Sequence, residues 1–281
     1  MRQSSKIFDY TKYLIYVKGY KDIYMNKIVS LEKIKLTFSK FFPNFNELIK
    51  KRQSKILVSL TSYPQSFVYI PGIIDFIPNQ TFHIDNILLF LYKFDIKYFN
   101  YTINDLKIIS TDKNLRAHLK YFYSMKLFRN YDINTLDDDI GYSNDTFESL
   151  FNAYIENPNL ISGRWTHLIT YKNNGELKGY FKWIFQQNLI KSHNFKLLLT
   201  NEGGTIFPPD ILNVNDELLP IINETITFDD LTLKYFANTK GIPSKWVVDA
   251  HILWIKRVLP KTKDNPLFYI NTINNDICID K

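Results

Sequence analysis

From Lys55 onward, short apolar runs alternate with longer segments of helical spacing, and this alternation constrains the fold more than any other feature. Ile56-Leu57-Val58-Ser59-Leu60 ends in Thr61-Ser62-Tyr63-Pro64, a turn-like stop. Further strands are expected at 86–92, 106–110 and 132–136, with helices at 115–129 and 145–156 between and after them. Strands alternating with helices imply βαβ units and a mostly parallel sheet with helices on its faces. In such an α/β sheet, ligands bind beyond the carboxyl ends of strands near the point where the strand order reverses. The chemistry should therefore follow strands.

The first 54 residues read differently. Tyr24, Ile28, Leu31, Ile34 and Phe38 recur at the spacing of one helical face, with Lys21, Lys27, Lys33 and Lys35 largely off it. Residues 1–55 hold thirteen Lys or Arg against four acids, a balance of +9, while the remaining 226 residues come to −2. The formal charge of +7 thus belongs to an appendage, which removes the charge argument for a nucleic-acid partner. A basic amphipathic helix either lies on an anionic membrane surface or docks on the main domain with its lysines solvated. The expected division is a basic helical extension at 1–54 and one domain at 55–281. Apolar runs fall far short of the roughly 18 residues needed to span a bilayer. No signal peptide is evident and Cys278 stands alone, so the expected location is the cytoplasm.

Asp137-Asp138-Asp139 follow the strand expected at 132–136. Adjacent carboxylates repel one another unless solvated or bound to a cation. A strand through the triplet would send Asp137 and Asp139 to the same side, where they can share one hard divalent ion such as Mn2+ or Mg2+. A solvated acidic turn is the plainer alternative. Arg116 and Lys120, four apart on the preceding helix, would share a face and reach phosphates, whereas His118 would be structural. Asp229 and Asp230 open a helix expected at 231–240, where a carboxylate either caps the end or serves as a base. Trp165, Trp183, Trp246 and Trp254 suit the core better than sugar stacking, and His167 and His251 are weaker ligand candidates.

Four stretches in order carry a resemblance. They are ILVSLTSYP at 56–64 with Gln80 sixteen residues later, LDDDIGYSND at 136–145, NEGGTIFPPDIL at 201–212 and FDDLTLKYFANTKGIP at 228–243. Together they resemble bacterial glycosyltransferases of the GT-A type that build surface polysaccharide and lipooligosaccharide. The strand before the triplet is more polar than that pattern, Leu231-Thr232 replaces its usual Trp, and Glu202 replaces a small residue.

The resemblance implies a Rossmann-like, GT-A-like α/β domain that moves a sugar from a nucleoside-diphosphate donor, a UDP-sugar foremost, to a hydroxyl of a surface glycan or lipid-linked glycan. It implies that Thr61, Ser62 and Tyr63 receive the nucleotide, together with Asp137 and Asp138. Asp139, with Asp137, would bind Mn2+ or Mg2+. Asp230 would act as base, Asp229 would position the acceptor, and Gly203-Gly204 would approach a sugar closely. Residues 1–54 would hold such an enzyme at the inner face of the cytoplasmic membrane. A metal-dependent phosphotransferase or nuclease, and a non-catalytic glycan-binding protein, are the alternatives.

Overall fold

The computed structural model describes residues 55–185, 193–247, 256–257, 271, 275–276 and 279. The expected basic extension at 1–54 and its membrane contact lie outside the described residues, as do His251, Trp254 and Cys278. Among the described residues, no helix is long and apolar enough to cross a membrane.

Twelve strands and five α-helices are found among these residues. The strands are β1 (Lys55–Thr61), β2 (Asn86–Tyr92), β3 (Leu106–Thr111), β4 (Tyr131–Thr135), β5 (Ile140–Gly141), β6 (Ile161–Gly163), β7 (Thr166–Leu168), β8 (Ile184–Phe185), β9 (Leu197–Leu199), β10 (Thr205–Phe207), β11 (Ser244–Trp246) and β12 (Lys256–Arg257). The helices are α1 (Ile70–Phe76), α2 (Leu119–Leu127), α3 (Thr146–Glu156), α4 (Leu219–Glu224) and α5 (Asp229–Thr239).

Seven strands form one sheet in the order β11-β6-β10-β4-β1-β2-β3. All its pairings are parallel except the two that β10 makes with β4 and β6. This is the mostly parallel α/β architecture expected from the alternation. The chain runs from β1 outward through β2 to β3, then returns to place β4 on the other side of β1. The order therefore reverses between β1 and β4. Two small sheets, β8-β7-β9 and β12-β5, complete the set.

Burial explains which strands were easiest to read. The five central residues of β2 are all buried, as expected of a strand covered on both faces. Along β1 the faces alternate: Leu57 joins the core made with Leu119, Phe122 and Met125 of α2 and with Leu233 and Phe236 of α5. The polar β4 is buried all the same, with Asp132, Asn134 and Thr135 at most 1% exposed. Asn134 and Thr135 register opposite Val58 and Ser59 of β1.

Two boundaries differ from expectation. The segment expected as one helix at 115–129 opens with a separate 3-10 turn, Arg116–His118, before α2. Its cause is local: Arg116 has a φ of 51°, outside the α-helical region, and its N–H is taken by the Asn114 side chain at 3.1 Å. The second is the end of β4, which stops at Thr135, one residue short of the expected 136, so the acidic triplet follows the strand as expected and lies in no strand itself. Strand pairing ends at Thr135, and residues 138–139 form a turn before β5.

Candidate functional site

The carboxyl ends of β1 and β4 meet at the reversal of strand order, and the Ser62 hydroxyl ties them by donating to Asp138 Oδ2. Ser62 is buried, whereas the Tyr63 side chain stands 51% exposed beside it. Thr61 turns back into the sheet, its hydroxyl donating to the Phe90 carbonyl at 2.9 Å. The structure thus sends Thr61, Ser62 and Tyr63 in three directions.

The triplet divides as well. Asp138 points to Ser62, and Asp137 points to Lys120, whose Nζ lies 2.6 Å from Asp137 Oδ1. Burial, with help from Asp139 and Asp137, pushes the Asp138 carboxyl up to about 7. Tyr142 secures the turn by accepting the Asp137 backbone N–H on its hydroxyl oxygen at 2.8 Å. Behind it, the fully buried Arg164 donates to the hydroxyls of Ser143 and Thr146, fixing the start of α3. Gln80 staples the same helix end from both sides of its amide: Nε2 donates to the Ser143 carbonyl at 2.9 Å, and Oε1 accepts the Phe147 N–H at 3.3 Å. That supplies a helix-end partner from a distant segment.

Lys120 is the hub. Its side chain is 5% exposed, and Nζ also lies 3.2 Å from Asp229 Oδ2. Burial alone would pull this ammonium down. The carboxylates of Asp137, Asp229 and Asp230 outweigh it and hold Lys120 well above the usual lysine range. Arg116, expected beside it on one helical face, stands exposed on the preceding turn with its own backbone geometry. The two cations are not a pair. His118 is buried: its Nδ1 pairs with the Tyr121 hydroxyl at 2.6 Å and its Nε2 with the Thr225 carbonyl at 3.0 Å. Burial lowers its proton affinity, consistent with the structural role expected of it.

Asp229 and Asp230 open α5, and the preceding Phe228 offers no side-chain cap. Their carboxyls are held from outside the helix. Asn201 donates its N–H to Asp230 Oδ1 at 3.0 Å and its Nδ2 to the same oxygen at 2.8 Å, while Nδ2 also reaches Asp229 Oδ2 at 3.4 Å. Its Oδ1 accepts the Thr135 hydroxyl at 2.5 Å, linking the end of β4 to the start of α5. The pair's proton affinities separate. Burial would raise Asp229, but the Lys120 ammonium, His118 and hydrogen bonding together outweigh it and keep that carboxyl below its usual range. For Asp230, burial and the neighbouring Asp229 charge act together and drive it well up.

The glycines have structural reasons of their own. A Cβ on Gly203 would sit 2.4 Å from Trp165 Cβ and 2.6 Å from its backbone N, so the close approach is to Trp165. Gly204 adopts φ 86°. Trp183 and Trp246 are buried, as expected. Glu202, out of place in the sequence pattern, lies close enough to raise the proton affinity of both Tyr142 and Tyr180.

Asn201, Tyr142 and Arg164 were not singled out as site residues from the sequence. Tyr142 follows the triplet within one matching stretch, a signal that pointed to it. Asn201 opens the third matching stretch, though nothing there marked it out, and Arg164 carries no local signature.

Among the described residues, no three or more His, Cys, Asp or Glu are arranged to hold a metal ion by themselves. With Asp138 drawn to Ser62 and Asp137 shared with Lys120, the donor set fits a cation only if Asp139 and Asp137 share it with substrate oxygens. A cation enclosed by protein does not fit.

No protein-family model matches the chain, and no curated protein matches it. Among solved structures, it is similar to 4-diphosphocytidyl-2C-methyl-D-erythritol synthase from Anaerococcus prevotii, at 11% identity and a TM-score of 0.45, covering 80% of this chain and 100% of that one. It is also similar to 2-C-methyl-D-erythritol 4-phosphate cytidylyltransferase from Francisella tularensis, at 12% identity and a TM-score of 0.46, covering 78% and 99%. At this identity the likeness concerns the fold alone.

Proposed function

We propose that the protein is a glycosyltransferase that moves a sugar from a nucleoside-diphosphate donor, a UDP-sugar foremost, to a hydroxyl of a surface glycan or lipid-linked glycan. One observation carries the reading. Two sets of carboxyls, Asp137 to Asp139 and Asp229 with Asp230, gather beyond the ends of β1 and β4 and are joined through Lys120.

In this reading the exposed Tyr63 ring stacks on the nucleobase, and Ser62 with Asp138 shapes the floor beneath it. Asp139 and Asp137 would hold Mn2+ or Mg2+ together with the donor's phosphates. Such a cation, when bound, neutralises charge on the departing diphosphate as a Lewis acid. Asp230 takes the proton from the acceptor hydroxyl. Its raised proton affinity suits that work, because a stronger base pulls harder on a weakly acidic hydroxyl. Asp229 stays ionised beside Lys120 and orients the acceptor. Asn201, donating twice to one oxygen of Asp230, fixes the direction of the base. Residues 1–54 hold the enzyme at an anionic membrane surface, where its acceptor would lie.

The test is a screen of sugar nucleotides for hydrolysis and transfer with and without Mn2+. Turnover that depends on the metal and falls at least about 100-fold in Asp139→Ala supports the reading. Unchanged turnover in that variant removes the metal assignment. Calorimetry adds a check on the substrate: UDP that fails to bind with Mn2+ present contradicts the donor. Deleting residues 1–50 should lower vesicle binding and spare transfer to a soluble acceptor.

A further inference from the structure

Lys234 is a buried cation that the proposed reaction leaves without a task. It lies on α5 one turn beyond Asp230, and residues four apart on a helix share a face with Cβ atoms roughly 5–6 Å apart. Its side chain is almost wholly enclosed, at 7% exposure. The hydrogen bond it makes among the described residues is a long one, from Nζ to Ser244 Oγ at 3.3 Å. An ammonium has three protons to place, and a lysine held inside a protein at this depth is rare unless paired. Lys126, Lys172 and Lys245 all sit within 2.9 Å of a carboxylate. Lys234 has no ion pair of that kind among the described residues.

Its surroundings supply the missing partner. A cavity of about 20 Å³ lies between α5 and the strands β6, β9, β10 and β11, and its wall includes Lys234, Asp230, Asn201, Thr205 and Ser244. Water needs roughly 10–15 Å³ of such space and two to four polar partners. The Thr205 hydroxyl is buried and has no hydrogen-bond partner among the described residues. Only Asp230 and Lys234 of the lining residues are ionisable. The remaining wall, Ile161, Leu199, Phe207, Leu233 and Ala237, is apolar and offers no other partner to the two charges.

We propose that Lys234 is a positioning residue for Asp230: its ammonium faces that carboxyl through one water held in this cavity by Thr205 and Ser244, and so sets the orientation and charge of the base. The proposal rests on the reading of Asp230 as the base. Asp230 is otherwise surrounded by Asp229 on its own helix, Lys120 and Tyr121 on α2, Asp137 on the β4–β5 turn, and Tyr180 near β8. Two of these neighbours, Asp229 and Asp137, are acids that disfavour its ionised form, so a second cation on the cavity side has a clear effect. Burial pulls Lys234 down to about 8, so its ammonium form prevails near neutral pH.

The experiment uses the full chain with Lys234→Met and Lys234→Gln, the second keeping a donor without a charge. Removing a buried charge relieves its desolvation, so both variants should fold with an unchanged or higher Tm. The carboxyl carbon of Asp230 is followed by 13C NMR against pH, its signal identified by its loss in Asp230→Asn. The expected result is a proton affinity about tenfold higher in both variants than in the natural protein, one pH unit in the titration. An identical titration in all three overturns the proposal. Transfer kinetics give the second readout: kcat should fall about tenfold on the acid side, with the donor KM within about twofold. A shifted titration without any change in kcat upholds the link between Lys234 and Asp230 and removes Asp230 from the role of base.

Discussion

Lys120 holds Asp137 at 2.6 Å and is itself almost sealed from solvent, so the acidic triplet is anchored by a cation of the protein's own. Removing one partner of such a pair leaves a buried charge uncompensated, which costs far more than the pair contributes. Lys120→Met should therefore destabilise the protein by about 3–5 kcal/mol, read as a lower urea midpoint, because Asp137 and Asp229 both lose it. Transfer activity should fall with it. An unchanged midpoint would show that the two carboxylates do not need this ammonium.

Asn201 offers a sharper distinction between structure and chemistry. Asn201→Asp preserves shape but replaces two donated protons with a charge facing Asp229 and Asp230. The loss should exceed that of Asn201→Ala, with transfer reduced at least about 100-fold and stability by roughly 1–3 kcal/mol. Urea titration and steady-state kinetics on both variants check the order.

His167 sets a pH dependence of stability. Burial holds it neutral and lowers its proton affinity to about 4 from an ordinary 6.5, while the unfolded chain still takes a proton near 6.5. Between these values the unfolded state binds more protons, so stability falls as pH drops from about 6.5 to about 4. The full effect is on the order of 3 kcal/mol. Its ring already packs on Phe185 with centroids 4.2 Å apart, and its Nδ1 has no hydrogen-bond partner among the described residues. His167→Phe should flatten this part of the stability curve, measured as urea midpoint against pH.

Gly203 tests how tightly the loop before β10 is packed. A methyl group there meets the Trp165 backbone as well as its side chain, and backbone cannot step aside. Gly203→Ala should cost roughly 1–3 kcal/mol or more. A Tm equal to that of the natural protein would mean that the loop relaxes freely.

The sheet was legible because burial on two faces writes an unbroken apolar run, and β2 fell where the sequence placed it. The end of β4 was less so: its buried residues are polar, and their partners lie on other strands. The start of α2 was hidden because the departure at Arg116 is a backbone angle, which helical spacing does not reveal. At the site, Asp137 and Asp229 were legible as carboxylates, whereas the lysine between them read as a partner of Arg116 that reaches phosphates. Spacing shows which residues share a face but not whether that face meets solvent or another charge. Asn201 was invisible for a related reason, since its partners Thr135, Asp229 and Asp230 are far from it in the chain.

The chain order of the Lys120 cluster has a consequence for synthesis. Lys120 and Asp137 emerge early, but Asp229, Asp230 and the helix that carries them emerge only after the whole of β10 has been made. A growing chain can form the β1–β4 half of the sheet and pair Lys120 with Asp137, yet it holds an unfinished pocket until α5 docks. The two carboxyl sets therefore come together only once α5 has been made, so the Lys120 cluster is completed late and in one step.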